Sequence, residues 1–389
     1  MKHKSLRHLH KLRTQLPTVL LLLGAVLIFF LARSWAAPAP EEGLPASEYA
    51  EYESCKVLTI LADSTQSDPT SDGGYRGDQL MLVEVTSGQY AGKTLQVYNY
   101  VGPLYGEPLS EGDRAVLIIS TYADSSFVGT VYEYDRQLPL LIVVVLFLVA
   151  AIVVGGKTGA KSLVGLLLTL TCLFFVLIPA LLKGAPTLPT VFFTCAYIAV
   201  VTLAILGGVR RKTVCAMLGT VAGTLLALLF GLLAQWFVRI DGLRLDDVEP
   251  LLQLRQQGSE IGLRGLLVGG VVISALGAVM DVTMGIASSL SEVSAADPDM
   301  GTWQLFRSGM NIGRDMVGTM TNTLILAFLG SSFTLILYLY TIGLSYHQLI
   351  SSPYLAIEVV SSVSSSIGVI LSIPLTALIC AVFYTKKRK

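Results

Sequence analysis

Residues 309–330 read GMNIGRDMVGTMTNTLILAFLG, a run that passes from charge into hydrocarbon with no turn signal between. At about 100° per residue a helix places Asn311, Asp315, Thr319 and Asn322 on one stripe, with Arg314 and Gly318 beside it. Leu324 to Leu329 then continue the same helix as plain hydrocarbon. A polar face on such a helix must look at protein or water, because hydrocarbon cannot satisfy it. The reading is therefore a membrane span with a functional edge, and its neighbours in sequence extend the pattern.

Residues 269–293, GGVVISALGAVMDVTMGIASSLSEV, set Gly270, Ser274, Gly277 and Ala278 at spacings that allow close helix approach, with Asp281 one turn further on. A third apolar segment carries Glu358, Ser362 and Ser365 at i, i+4 and i+7. Asp281, Asp315 and Glu358 are the acids that lie in or at the edge of apolar segments. The other 24 of the chain's 27 belong to polar stretches. A charge at the bilayer centre costs at least about 2.5–3.5 kcal/mol, so each needs a partner, water or a proton. Three consecutive spans are thus expected to turn polar faces toward a common interior, with Asp281 within reach of Arg314 or Asn322.

Composition sets the class. The 389 residues are 53% hydrophobic and only 14% charged, with a mean hydropathy of +0.67; an ordinary soluble domain is about 25% charged. Eight segments meet the roughly 20-residue length that a bilayer demands: about 18–37, 138–154, 163–182, 188–209, 214–237, 263–287, 316–342 and 354–384, the last able to kink at Pro374. Basic residues at the leader, at Lys157 and Lys161, at 210–212, at Arg307 and in the terminal KKRK fall on one side, which predicts both termini cytoplasmic. The basic leader, apolar core and SWAA also fit a secretory signal, so the first segment reads as an anchor or as a cleaved sequence that would leave seven spans. The polar stretch 288–308, with Trp303, Leu305, Phe306 and Arg307, reads as an interfacial or re-entrant piece.

The only sizeable soluble piece lies between the first two spans. Residues 38–54 read as a Pro/Ala/Glu linker. From Cys55 onward the runs LMLVEVTSG, KTLQVYNYVG, RAVLIIST and SFVGTVYEYD alternate like hairpin strands, and Gly112 with Asp113 marks a turn. A small antiparallel, barrel-like β-domain over 55–137 is expected. Residues 41–135 hold 16 acids against four bases, which argues against nucleic acid as a partner. Cys55 is the only cysteine in a polar region, so no disulfide framework can form there.

Together these give an α-helical polytopic membrane protein of about eight transmembrane helices with a β-domain inserted between the first and second. Residues 1–37 are leader and anchor, 38–54 linker, 55–137 β-domain, and 138–389 a seven-helix membrane domain whose polar core is 262–366. Residues 265–293 followed by 309–330, with a β-rich region ending in YDR (Tyr134 to Arg136), resemble the YibE/F-like family of bacterial membrane proteins. The resemblance covers nearly the whole chain. It implies this architecture and a bacterial cytoplasmic membrane, it adds weight to Asp281, Arg314, Asp315 and Asn322, and it hands over no substrate.

Function divides three ways. A permease or exporter of an ion or small polar solute would use Asp281, Asn311, Arg314, Asp315, Thr319, Asn322 and Glu358 as hard oxygen ligands or proton sites. The alternative is an envelope assembly or sensor protein whose β-domain meets a protein partner. An intramembrane enzyme is not expected, since the chain lacks H-E-x-x-H, G-x-S-x-G and phosphate-cradling motifs. No cofactor and no metal centre is expected, and all four histidines lie outside the spans. Membrane lipid is the one obligatory partner.

Overall fold

The computed structural model describes residues 24, 26, 29–34, 50–121, 127–245, 248–256 and 258–385. The first apolar segment and the linker lie largely outside them, although 29–34 are helical (α1). The chain divides into two units, Pro40–Ala150 and the remainder.

In the first unit, strands β1 (Ala50–Asp63), β3 (Tyr75–Val85), β4 (Thr94–Val101), β5 (Arg114–Thr121) and β6 (Phe127–Tyr134) close into a barrel, with a short β2 (Gln66–Ser67) beside β3. The ring runs β1–β5–β6–β4–β3 and returns to β1, the order of a five-stranded Greek-key barrel of the OB type. Two differences from the expectation follow. The β4–β6 pair is parallel, at Tyr98 against Thr130, so the domain is not wholly antiparallel; closing the ring brings two non-sequential strands side by side. Residues 50–54 belong to β1, paired with β5 from Ala50↔Ser120 onward, rather than to a linker. Glutamates at 51 and 53 disguise them: they continue the face of Cys55 and Val57 past the buried core, where Glu51 is exposed and the half-buried Glu53 accepts from the Ser87 hydroxyl.

Alternation fills the barrel. Met81, Val83 and Val85 of β3 meet Val97, Leu117 and Ile119 at zero exposure. Two buried amides sit among them. Gln79 donates to Asp63 Oδ2 (2.9 Å) and to the Leu109 carbonyl (3.1 Å), and its Oε1 accepts from the Leu109 N–H (2.9 Å) and from Asn99 Nδ2 (3.0 Å). Asn99 also donates to the Glu107 carbonyl at 2.8 Å. These bonds satisfy buried groups that would otherwise cost free energy, and they pin the β4–β5 connection onto the barrel. The Asp113 N–H donates to the Ser110 carbonyl at 3.1 Å and Gly112 has φ +94°, which gives the expected turn before β5, and the Gly112 N–H donates to the Val57 carbonyl of β1.

The second unit is helical. α2 (Gln137–Cys172), which belongs to the first unit as far as Ala150, is broken at Gly156, whose φ is +53°. A Cβ placed on Gly159 would lie against the Ala151 carbonyl, eight residues back; in an unbroken helix that separation is about 12 Å. The helical run is therefore broken at GGKTG, between the apolar stretches 138–154 and 163–182. A π-helical turn (Leu173–Leu177) and α3 (Ile178–Leu182) complete the second stretch. α4 (Thr187–Gly207), α5 (Arg211–Val238), a short α6 (Val248–Gln256), α7 (Leu266–Ala296), α8 (Thr302–Ser331), α9 (Phe333–Thr341), α10 (Tyr346–Ile350) and α11 (Pro353–Thr385) follow. Among the described residues five helical runs are long and apolar enough to cross a membrane, or six when α8 and α9, bent by 61°, count together.

Two boundaries differ from the sequence reading. α7 extends to Ala296 and α8 starts at Thr302, so most of 288–308 is helix, with only 297–301 between. The expected span 316–342 is interrupted at Ser332. α11 carries Pro374 inside a single helix.

α5 and α11 form the tightest seam. A Cβ on Gly219 would meet Thr376 Oγ1 at 2.2 Å, one on Gly223 would meet Ser372 Cβ at 2.6 Å, and one on Gly368 would meet Ala227 Cβ at 2.5 Å. Gly219, Gly223 and Ala227 thus face Thr376, Ser372 and Gly368 in antiparallel register, every fourth residue on each helix. Lipid tails are as apolar as leucine, so close backbone approach supplies what the hydrophobic effect does not. Thr220 of α5 and Thr283 of α7 add a buried hydroxyl bridge of 2.7 Å. The surrounding core takes Val279, Val282, Ile286 and Leu290 from α7, Leu305 from α8 and Val369, Ile373 and Ala377 from α11.

Candidate intramembrane polar site

α7, α8 and α11 carry every residue of the expected polar site, and their mutual register follows from packing. Gly285 of α7 lies against Met316 of α8, and Leu290 against Gly309, so the pair is antiparallel. One turn further on, Asp281 comes level with Thr319 and Met320. α8 meets α11 through Gly309 against Ala377 and Gly313 against Ile373, again antiparallel. Two turns beyond, residues 321–322 are level with 364–366. α7 and α11 run parallel, tied by Ser274 Oγ to Ser365 Oγ at 3.0 Å and by the Tyr384 hydroxyl donating to the Ala287 carbonyl at 3.3 Å.

The buried residues of α8 are Leu305, Gly309 and Gly313, all in its first half. Beyond Gly313 the helix is buried nowhere, and Arg314, Asp315, Thr319 and Asn322 are exposed, as is Asn311. On α7, Gly270, Ser274, Gly277 and Asp281 form an exposed stripe. The polar faces therefore open on the outside of the single chain, not into its packed centre. Gly270 and Gly277 have nothing within 4 Å of a Cβ position. The close approach read from their spacing is made instead by α5 and α11, whose seam the string GTVAGTLLA (219–227) also advertises.

Charge pairing differs from expectation as well. The ion pairs among the described residues are Arg76–Asp68, Arg136 with Glu107 and Glu133, and Arg264–Asp241 at 3.8 Å. Asp281 and Arg314 do not meet.

Glu358 stands apart. It lies in the first two turns of α11, about 10 Å before Ser365, whereas Asp281 lies about 10 Å beyond Ser274, Ser365's partner. The two carboxylates are thus about 20 Å apart along parallel helices. Ser362 donates back to the Glu358 carbonyl at 2.9 Å, a local helix bond.

One group of polar atoms escaped the sequence reading. The hydroxyls of Thr321, Ser364 and Ser366 are buried and have no hydrogen-bond partner among the described residues. Buried hydroxyls in helices ordinarily bond to the carbonyl a turn earlier, as Thr376 does to Ser372 at 2.7 Å. These three fall at one level of the α8–α11 pair, beside Asn322. The signal was the string SSVSSS (361–366), but serine runs in spans usually back-bond, and only the register separates the orphans from the rest. Chemically the region offers carboxylate, amide and hydroxyl oxygens. Among the described residues no three His, Cys, Asp or Glu side chains converge as metal ligands.

No curated protein and no solved structure matches the chain. The family described as YibE/F-like protein matches residues 143–386, which takes in α4 to α11 and all the polar positions named above. The match covers more than half of the sequence, and the chain belongs to the YibE/F-like family of membrane proteins.

Proposed function

We propose that the chain is a permease or exporter that moves an ion or small polar solute past the polar faces of α7, α8 and α11. One observation carries the reading. Asp281 of α7 is level with Thr319 of α8 and both are accessible, and one turn along α8 the accessible Asn322 stands beside the hydroxyls of Thr321, Ser364 and Ser366, which are buried with no hydrogen-bond partner among the described residues. Lipid can satisfy none of these groups, so the face borders water or a hydrated solute. Asp281 and Asp315 are assigned as cation or proton sites, Asn311 and Arg314 line the approach from the α7–α8 connection, and Glu358 serves a separate position nearer the other end of α11. Transport rather than a chemical reaction is assigned, in a bacterial cytoplasmic membrane with both termini cytoplasmic.

The test is solute and ion flux in proteoliposomes, wild type beside Asp281→Asn and Asp315→Asn, scanning protons and common cations. Transport requires flux that both substitutions abolish while the protein stays folded. Correctly inserted wild-type protein that passes nothing across the panel would remove the proposal. A second reading, an assembly or sensor protein, is favoured by the exposed aromatics of the barrel, where Tyr98 stacks on Tyr100 at 6.0 Å and Tyr52 meets Tyr132 edge-on at 5.3 Å. It requires a function that survives both aspartate substitutions.

A further inference from the structure

The barrel presents a turn whose chemistry neither reading uses. Gly102 and Tyr105 exchange backbone hydrogen bonds of 2.8 and 3.3 Å, so Pro103 and Leu104 occupy the tip of a β-turn. Proline pre-sets the backbone at the first tip position. Gly106 follows at φ +66°, with the Tyr100 carbonyl 2.1 Å from where a Cβ would stand, so only glycine fits. The Gln79–Asn99 amides then hold Glu107 and Leu109. A rigid mount thus displays Leu104 at 95% exposure and Tyr105 at 66%. Scattered exposed leucines are ordinary, but this one is the most exposed large apolar side chain of the described residues and its backbone is fixed on both sides.

Its location supplies the partner. Leu104, Tyr105 and Glu107 line a cleft of about 630 Å³ together with Tyr75, Glu133 and Arg136. Arg136 pairs with Glu107 at 3.0 Å and with Glu133 at 3.4 Å. It directly precedes α2, whose exposed apolar surface starts at Leu138 and continues through Leu140, Leu141 and Ile142. All of these lie in the same unit. Leu104 is three residues from Glu107 and therefore within about 10 Å of it, at the end of the barrel from which the first stretch of α2 leaves for the membrane. Leucine and tyrosine side by side are residues suited to the headgroup boundary, apolar below and hydroxyl above.

We propose that the Pro103–Tyr105 turn is a membrane foot: Leu104 and Tyr105 enter the lipid interface of the leaflet where α2 begins, and the Arg136–Glu107 pair braces the turn against the helix. The occupant of this face is lipid. The foot fixes the barrel's height and tilt over the bilayer, which a single flexible connection at Arg136 would leave free.

Single cysteines carrying an environment-sensitive fluorophore test this in the full chain, reconstituted in phosphatidylcholine vesicles. The five native cysteines are buried, and burial pushes the Cys55 thiol up to about 12, so added exposed cysteines label selectively. Leu104→Cys is compared with Ala91→Cys, in the β3–β4 turn about 25 Å away along the strands, and with Leu141→Cys on α2. The expected result is a blue-shifted Leu104 label, quenched by nitroxide lipids and protected from aqueous iodide, beside an Ala91 label that iodide alone quenches. A Leu104 label as aqueous as Ala91's, with the Leu141 label lipid-quenched, overturns the foot. Shielding of the Leu104 label from iodide without lipid quenching overturns it in favour of a second copy of the chain. Absence of lipid quenching at Leu141 would remove the membrane entry of α2 on which the foot rests.

Discussion

Gly368→Ala is a severe substitution for one methyl group. The added Cβ would stand 2.5 Å from Ala227 Cβ and 3.2 Å from Ala227 Cα, whereas ordinary contact begins at 3.4 Å. Neither neighbour has a rotamer with which to yield, so α5 and α11 must part by roughly 1 Å, and Gly219 and Gly223 lose part of their contacts with Thr376 and Ser372. Overpacking of this kind costs about 1–3 kcal/mol. Replacing a helical glycine with alanine returns about 0.5–1 kcal/mol of backbone entropy and propensity. Taking the middle of each range, the net expectation is a loss of about 1.3 kcal/mol. Gly277→Ala on α7 is the matched control, because nothing lies within 4 Å of its Cβ position; it should gain about 0.5 kcal/mol. Reversible unfolding of the purified protein in mixed micelles, followed by circular dichroism, reads both. Opposite signs are required. A neutral or stabilising Gly368→Ala refutes the α5–α11 seam, and a destabilising Gly277→Ala refutes the open α7 stripe.

Gln79→Leu leaves the Leu109 N–H and an Asn99 amide proton without acceptors inside the barrel; it should cost about 1–3 kcal/mol and raise hydrogen exchange most in residues 102–110. Asp68 accepts from the Thr70 hydroxyl and N–H and from Arg76, which together hold its carboxyl below the usual carboxylate range. A depressed folded pKa stabilises above the unfolded value, so protection of residues 68–76 should be full above about pH 4 and fade as pH falls through the folded value. Asp68→Asn should flatten that dependence, and an unchanged profile would remove Asp68 as its source.

Hydropathy is a local property, and what depends on it was legible. The apolar segments 188–209 and 214–237 fall on α4 and α5 within a few residues, and the helix break at Gly156 lies between two apolar stretches that the lysines and glycines of 155–161 had already separated. Strands β3 to β6 were readable because alternation survives in a barrel wall. β1 was not among the runs read as strands, since its partner β5 lies about 60 residues away and the glutamates at its start hide the pattern.

Asp281, Asn311, Arg314, Asp315, Thr319 and Asn322 were identifiable from the sequence because a charge or amide in an apolar helix is conspicuous without any knowledge of its neighbours. Which of them share a level was not. That depends on register between helices, set by glycine and methyl contacts such as Gly285–Met316 and Gly313–Ile373 that no periodicity announces. The sequence by itself determined that these helices cross apolar surroundings and that one edge of α8 is polar. Only the tertiary structure decided that the polar edges of α7 and α8 face outward, that Glu358 stands apart, and that α5 and α11 are the joined pair. The physical reason is that transfer free energy is summed along one segment, while close packing is a property of two surfaces, and here they lie some 150 residues apart in the chain.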